Sequence, residues 1–290
     1  MSNDQPPVIE EHFDVERSAR DQITKLVLAR FKGHGMAELV GAIRGRRRWR
    51  PYRNGATHLG PSVQGMSRPY KCIAEDGALY YVKRQQTNRA SLWKEWISAH
   101  LAVSLGLPLP PFALVQVDET LVAELPNEWR DIGATPAFGS RHRDSVTWFE
   151  SSLIKKVPPA VQQAVFVFDW WVRNSDRLSG NTNLLWDAVG QKLVVIDHNQ
   201  AFDSGFDAQE FCKDHVFSAQ WAAIHADLFL QADWSRRLSE ALPLAQWACD
   251  NAPLEWRWAN AEMDVPADFA PDEALALLAR CTTPDLWRTV

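Results

Sequence analysis

No apolar run in this chain approaches the ~18 residues that a membrane span needs. Its opening, MSNDQPPVIEEHFD, has neither the basic nor the apolar part of a secretory signal. The expectation is a cytoplasmic protein with no membrane partner. Cysteine is scarce, and the four present (Cys72, Cys212, Cys249, Cys281) form no C-x-x-C and have no histidine at zinc spacing. They are expected to be free buried thiols. Internal repeats and low-complexity tracts are also lacking, which excludes solenoids and fibrous proteins. Tyrosine numbers only four, whereas tryptophan reaches 14, six of them beyond residue 220.

What the chain does have is length and an uneven charge. Its 290 residues can bury roughly 70–75% of the surface the unfolded chain exposes, enough for one large domain or two lobes. The net charge of −5 divides into +4 over residues 1–66, zero over 67–125 and −9 over 126–290. Six arginines crowd Arg44 to Arg53 (RGRRRWRPYR). The molecule as a whole is acidic, so direct nucleic-acid binding is disfavoured.

Local patterns give an order of elements. Helical spacing of Ile23, Leu26, Val27 and Phe31, and a second short pattern over 36–43, precede an irregular stretch from Arg44 to Pro69. Lys71–Glu75 and Ala78–Lys83 flank Asp76-Gly77, the turn dipeptide of a tight hairpin. Leu92 to Leu105 reads as an amphipathic helix ended by Gly106 and Pro108. Phe112–Val117 and Thr120–Glu124 read as two more strands, so that 70–124 is β-β-α-β-β. A strongly apolar helix, Pro159 to Val172, then leads into the polar loop NSDRLSGNTN. Short strands at 184–186 and 192–196 follow, with Asp197 directly after the second. The rest reads as helical, broken at Pro243, Pro253, Pro266 and Pro271.

In this order the chain presents a strand lysine (Lys83), a helix glutamate (Glu95), a loop with Asp176 and Asn181, and a strand-end aspartate (Asp197). Phosphoryl transfer from ATP asks for this inventory: a lysine to hold phosphates and a glutamate to pin it. It also needs one aspartate for the hydroxyl proton, and an asparagine with a second aspartate for the metal. An oxygen-only ligand set favours Mg over Zn. Each residue alone has an ordinary explanation, Lys83 as an edge charge and Asp176 and Asn181 as turn formers. Their joint placement carries the argument.

The stretch DWWVRNSDRLSGNTNLLWDAVGQKLVVIDHNQAF (Asp169–Phe202) closely resembles the catalytic segment of HipA-like kinases. GMSRPYKCIAEDGALYYVK is similar to that family's ATP-lysine hairpin, and KEWISAHLAVSLGLPLPPFALV to its E…LA..LGL-P-x-P segment. The resemblance covers about residues 60–205. It implies an α+β, bilobal protein-kinase-like fold, with a small β-rich N-lobe and a larger, mainly α-helical C-lobe, related distantly to phosphoinositide kinases. The corresponding divisions are a disordered tail at 1–14, a basic helical extension at 15–54, the N-lobe at 55–125 and the C-lobe at 126–290.

The resemblance implies an ATP- and Mg-dependent serine/threonine protein kinase. By it, Lys83 is the ATP lysine, Glu95 its partner, Asp176 the catalytic acid/base, and Asn181 and Asp197 the metal ligands. Glu124 is placed at the adenine-contacting hinge, although Pro126 removes a backbone donor there. The loop His58–Pro69 corresponds to the phosphate-proximal loop, with Ser62, Gly65 and Ser67 beside the nucleotide. In HipA toxins such a loop carries an autophosphorylated serine, which makes Ser62 and Ser67 the candidates here. The implied partners are a protein substrate, a translation-related one if the chain is a growth-inhibiting toxin, and an antitoxin or regulator. Two departures stand out: Leu178 replaces the histidine found two positions after the catalytic aspartate in the better-known branch, and Val15–Pro69 replaces the toxins' long N-terminal region. The competing readings are a kinase-like binding module without catalysis and a kinase acting on a lipid or small molecule.

Overall fold

The computed structural model of the chain describes residues 47–50, 69–74, 77–83, 88–117, 119–125 and 127–288. The expected tail and first helices, the arginine run except 47–50, and the loop with Ser62, Gly65 and Ser67 lie outside the described residues.

Five strands close into a small barrel in the order β1, β2, β3, β5, β4. They are β1 (Arg47–Arg50), β2 (Tyr70–Ala74), β3 (Leu79–Val82), β4 (Phe112–Gln116) and β5 (Ala137–Arg141). The hairpin legible in the sequence joins β2 to β3, with Tyr70 opposite Val82 and Ile73 opposite Leu79. Gly77 adopts a φ of 75° in its turn, a conformation glycine reaches without a Cβ penalty. β1 runs antiparallel to β2 and parallel to β4, closing the barrel. Part of the stretch read as irregular, Arg47–Arg50, is therefore strand.

The strand expected at Thr120–Glu124 is instead a short helix, α2 (Glu119–Glu124). β4 takes its antiparallel partner from β5, pairing Phe112 with Ser140 and Val115 with Ala137. The arrangement of 70–124 is thus β-β-α-β-α. The three consecutive apolar residues in TLVAE fit either period over so short a run, and the pairing of β4 with 137–141 decides the matter.

Helix α1 (Arg89–Ser104) lies between the barrel and the helical part of the molecule, with 11 of its 16 residues buried. It is not amphipathic in the expected one-faced sense, because it packs against β5 and also against helix α6 and the 254–257 turn. The apolar helix α3 occupies Pro159–Val172 as read from the sequence. A second sheet, in the order β6 (Val146–Trp148), β7 (Leu184–Asp187), β8 (Lys192–Val195), is antiparallel throughout.

The remainder is helical, with α4 (Ala208–Asp214), α5 (Gln220–Ala226), α6 (Leu228–Asp250) and α7 (Pro271–Ala279). Pro243 does not break this region; it sits inside α6. A proline there removes one backbone bond and strains the preceding turn, but Trp234, Leu238, Ala241, Ala245 and Ala248 are all buried along the same helix. That burial keeps the helix continuous. Pro271 opens α7 at its first turn, where its missing N–H is not needed. Among the described residues no helix is long and apolar enough to cross a membrane.

Candidate active site

β3 ends at Val82, and the next residue, Lys83, is almost fully buried. Its backbone N–H donates to Phe138 O of β5 at 3.1 Å. Its Nζ lies 3.0 Å from Glu95 Oε1 on α1 and 3.0 Å from Asp197 Oδ1, just beyond β8. Three elements distant in sequence thus bring one cation between two carboxylates. Burial alone would lower the Lys83 pKa, but Glu95 and Asp197 outweigh it and raise the value, so the ammonium stays charged. Burial raises the Glu95 carboxyl, with Lys83 opposing. At Asp197 burial acts upward, yet Lys83 holds the carboxyl below its usual range.

Asp197 has a φ of 58°, the left-handed region that aspartate tolerates better than most residues. The next residue, His198, donates its backbone N–H to Glu95 Oε2 at 3.1 Å. Its ring is buried edge-on to Phe168, and burial pushes its pKa down to about 3, so it stays neutral. Beside this cluster opens a cavity of about 390 Å³, bounded by Tyr81, Phe138, Trp148 and Leu185 as well as Lys83 and Asp197. That volume is within the usual range for a small-molecule site. Its wall includes residues 142–145, the segment that carries the chain from β5 of the barrel to β6 of the second sheet.

The loop after α3 supplies the second cluster. Asp176 is half-buried and accepts two side-chain amides, Asn181 Nδ2 at 3.2 Å and Asn183 Nδ2 at 2.8 Å. Asn183 Nδ2 also lies 3.1 Å from the Asp176 carbonyl oxygen. Arg177 is fully buried and points away from solvent onto Asp169 of α3, Nε to Oδ2 at 2.6 Å. Ser175 Oγ donates to Asp203 Oδ2 at 2.9 Å, and Phe202 N donates to Val172 O at 2.6 Å. These bonds join the Asp176 loop to the segment following Asp197.

A family model described as HipA-like kinase matches residues 58–290. The chain belongs to the HipA-like kinase family. No curated protein sequence matches it at a significant level.

In this member of the family the structure brings together Lys83, Glu95 and Asp197, and separately Asp176 and Asn181. Glu124 lies in α2, its side chain outside what is described. Ser62, Gly65 and Ser67 have no described position. Arg143 lies 3.8 Å from Asp187 and, like Arg141, borders the cavity. Among the described residues no group of three or more His, Cys, Asp or Glu could hold a metal.

Sequence reasoning missed Asn183, Asp169 and the place of 142–145 as the link between the two sheets, although Arg141 and Arg143 read as either surface charges or contacts to substrate or phosphate. A signal for Asp169 was present, since a carboxylate inside the apolar run AVFVFDWWV is expensive to bury without a partner. For Asn183 and 142–145 there was none, because each depends on which strands pair.

Proposed function

We propose that the protein is an ATP- and Mg-dependent serine/threonine protein kinase, with the barrel and α1 as a small lobe and the second sheet and remaining helices as a large one. The observation that carries this reading is Lys83 Nζ held 3.0 Å from both Glu95 and Asp197 at the edge of the cavity. A buried cation so placed is fixed for a polyphosphate. Asp176, Asn181 and Asp197 offer only oxygen donors with two negative charges, which suits Mg with phosphate and water completing its shell. Magnesium, when bound, would neutralise charge on the transferring phosphoryl group.

Asp176 is the group for the hydroxyl proton. As the substrate oxygen bonds to the γ-phosphorus and the bond to the β-bridging oxygen breaks, its carboxylate accepts the proton and ADP leaves with the electron pair. The two asparagine amides hold that carboxylate in place. For the nucleotide base, residues 142–145 are the better candidate than Glu124, because they bridge the two sheets beside the cavity.

Autophosphorylation at Ser62 or Ser67, a translation-related protein target, growth inhibition, an antitoxin or regulator, and a cytoplasmic setting are the finer parts of the proposal, supported by the family resemblance. The test is phosphate transfer from γ-labelled ATP by the purified full chain and in cells, wild type against Asp176→Asn. The variant is expected to bind ATP within about threefold of wild type and to lose transfer by at least ~10³-fold, a general-base contribution together with lost orientation. Intact mass reads autophosphorylation. ATP binding without turnover by wild type, or label in an organic-extractable product, would overturn the protein-kinase assignment.

A further inference from the structure

Arg177 and Asp169 are both fully buried. A buried ion pair gains little over well-packed apolar side chains of similar size, so its presence calls for another account. Arg177 Nη2 lies 3.5 Å from Asp169 Oδ1, and its Nη1 faces backbone. Its Nη1 lies 2.6 Å from Asn183 O, 3.2 Å from Thr182 O and 3.2 Å from Ile196 O. The first two carbonyls close the loop that begins at Asp176; the third precedes Asp197 by one residue. One guanidinium therefore holds both segments that carry the reacting carboxylates.

The guanidinium is itself held. Asp169 Oδ2 accepts Arg177 Nε at 2.6 Å, while its Oδ1 accepts Asn174 Nδ2 at 2.8 Å. His215, immediately after α4, has Nε2 3.1 Å from Asp169 Oδ2. Its Nδ1 accepts Phe217 N–H at 3.0 Å, which leaves the neutral ring's proton on Nε2, facing Asp169. The Arg177 carbonyl accepts Val216 N–H at 3.0 Å, and Leu178 bridges to His215. Each contact of this set ends on irregular backbone or on the pair itself. Buried carbonyls outside regular structure need donors, and a lysine lacks the planar fork that reaches Asp169 through Nε and Nη2 and these carbonyls through Nη1 at once.

We propose that Arg177 is a positioning residue that fixes Asp176 relative to Asp197, and that Asp169 and His215 act by holding its guanidinium. The proposal rests on the kinase reading above. It places the device behind the site, on the side away from nucleotide, where it sets kcat rather than ATP affinity.

The test uses the full chain carrying Arg177→Lys, Asp169→Asn or His215→Phe. Steady-state kinetics are paired with displacement of a fluorescent ATP analogue by ATP, and with hydrogen exchange resolved over 174–183, 194–203 and α1. Arg177→Lys and Asp169→Asn are expected to lower kcat by about 100-fold or more per folded molecule, and His215→Phe by about tenfold, with ATP affinity within threefold of wild type. Exchange in 174–183 and 194–203 should rise at least tenfold while α1 is unchanged. Should Arg177→Lys fail to fold, His215→Phe and its conservative counterpart His215→Gln, which restores a donor and should recover most of kcat, carry the test. Variants that keep wild-type kcat and exchange would overturn the proposal while leaving the kinase reading intact. A wild type that binds ATP but transfers nothing would sink the kinase reading and this proposal's catalytic content with it.

Discussion

His100 shows how strongly one site can depend on its surroundings. It is 1% exposed, with its ring 4.3 Å from Trp96, 5.0 Å from Phe112 and 5.1 Å from Trp247. Burial among these aromatics pushes its pKa down to about 3. An exposed imidazole titrates near 6.5, so below that pH the unfolded chain takes up a proton that the folded chain refuses. Stability should therefore fall as pH drops from about 6.5, by about 1.4 kcal/mol per pH unit for this one group. His198 and His215 are shifted the same way by burial and steepen the loss. Urea unfolding of wild type and His100→Phe at pH 7.5, 6 and 5 checks this: the variant's stability should depend on pH less steeply, by one proton. Equal slopes would rule the account out. At this scale the sequence offers identity and spacing, which is how Lys83, Glu95, Asp176, Asn181 and Asp197 became candidates. It did not disclose partners. Asn183 lies closer to Asp176 than Asn181 does, at 2.8 against 3.2 Å, yet nothing in NSDRLSGNTN marks it as a partner.

Among the elements, β5 is the one that pattern reading passed over, and it is central. FGSR carries little apolar alternation, but the strand pairs β3 on one side and β4 on the other and leads into the wall of the cavity. Gly139 explains its composition. A Cβ there would lie 2.5 Å from Val115 Cγ2 and 3.6 Å from Tyr80 Cδ1, so the strand fits only without a side chain at that position. Gly139→Ala should destabilise the protein by about 1–3 kcal/mol, the usual range for overpacking a close-packed site. Adding Val115→Ala should recover part of that loss, since the two side chains would compete for one space. Denaturant midpoints of the single and double variants decide it, and strict additivity would exclude the steric explanation. The hairpin β2–β3 and helix α3 were legible because their signals are local: a turn dipeptide in one, a long apolar run in the other. α2, β5 and the continuity of α6 through Pro243 were not, because pairing and burial with distant residues overrule weak local preference.

Over the whole molecule, the excess of tryptophan has a structural answer. Five buried indoles donate to backbone carbonyls far along the chain: Trp93 to Trp256 O, Trp96 to Ala248 O, Trp170 to Leu286 O, Trp171 to Leu278 O and Trp256 to Pro136 O. Two of these acceptors, Ala248 and Leu278, lie in the last turns of α6 and α7. Helix ends leave such carbonyls without intrahelical partners, and here indoles from other elements satisfy them. Arg280 does the same for α3, with Nη2 bonded to Trp170 O and Trp171 O. Each bond ties together segments that a periodicity argument treats as independent, which is why the aromatic count was legible but its purpose was not. Trp96 matters most for function, because it adjoins Glu95 on α1 and fastens that helix to α6. Trp96→Phe keeps an aromatic ring but leaves the Ala248 carbonyl buried without its donor, at a cost of about 1–3 kcal/mol. Loosening α1 should let Glu95 drift from Lys83, weakening ATP binding by several-fold while kcat at saturating ATP stays within about threefold. Equilibrium unfolding with nucleotide titration measures both. A loss of kcat at unchanged affinity would show that α1 is fixed by other contacts and that the indole network serves stability alone.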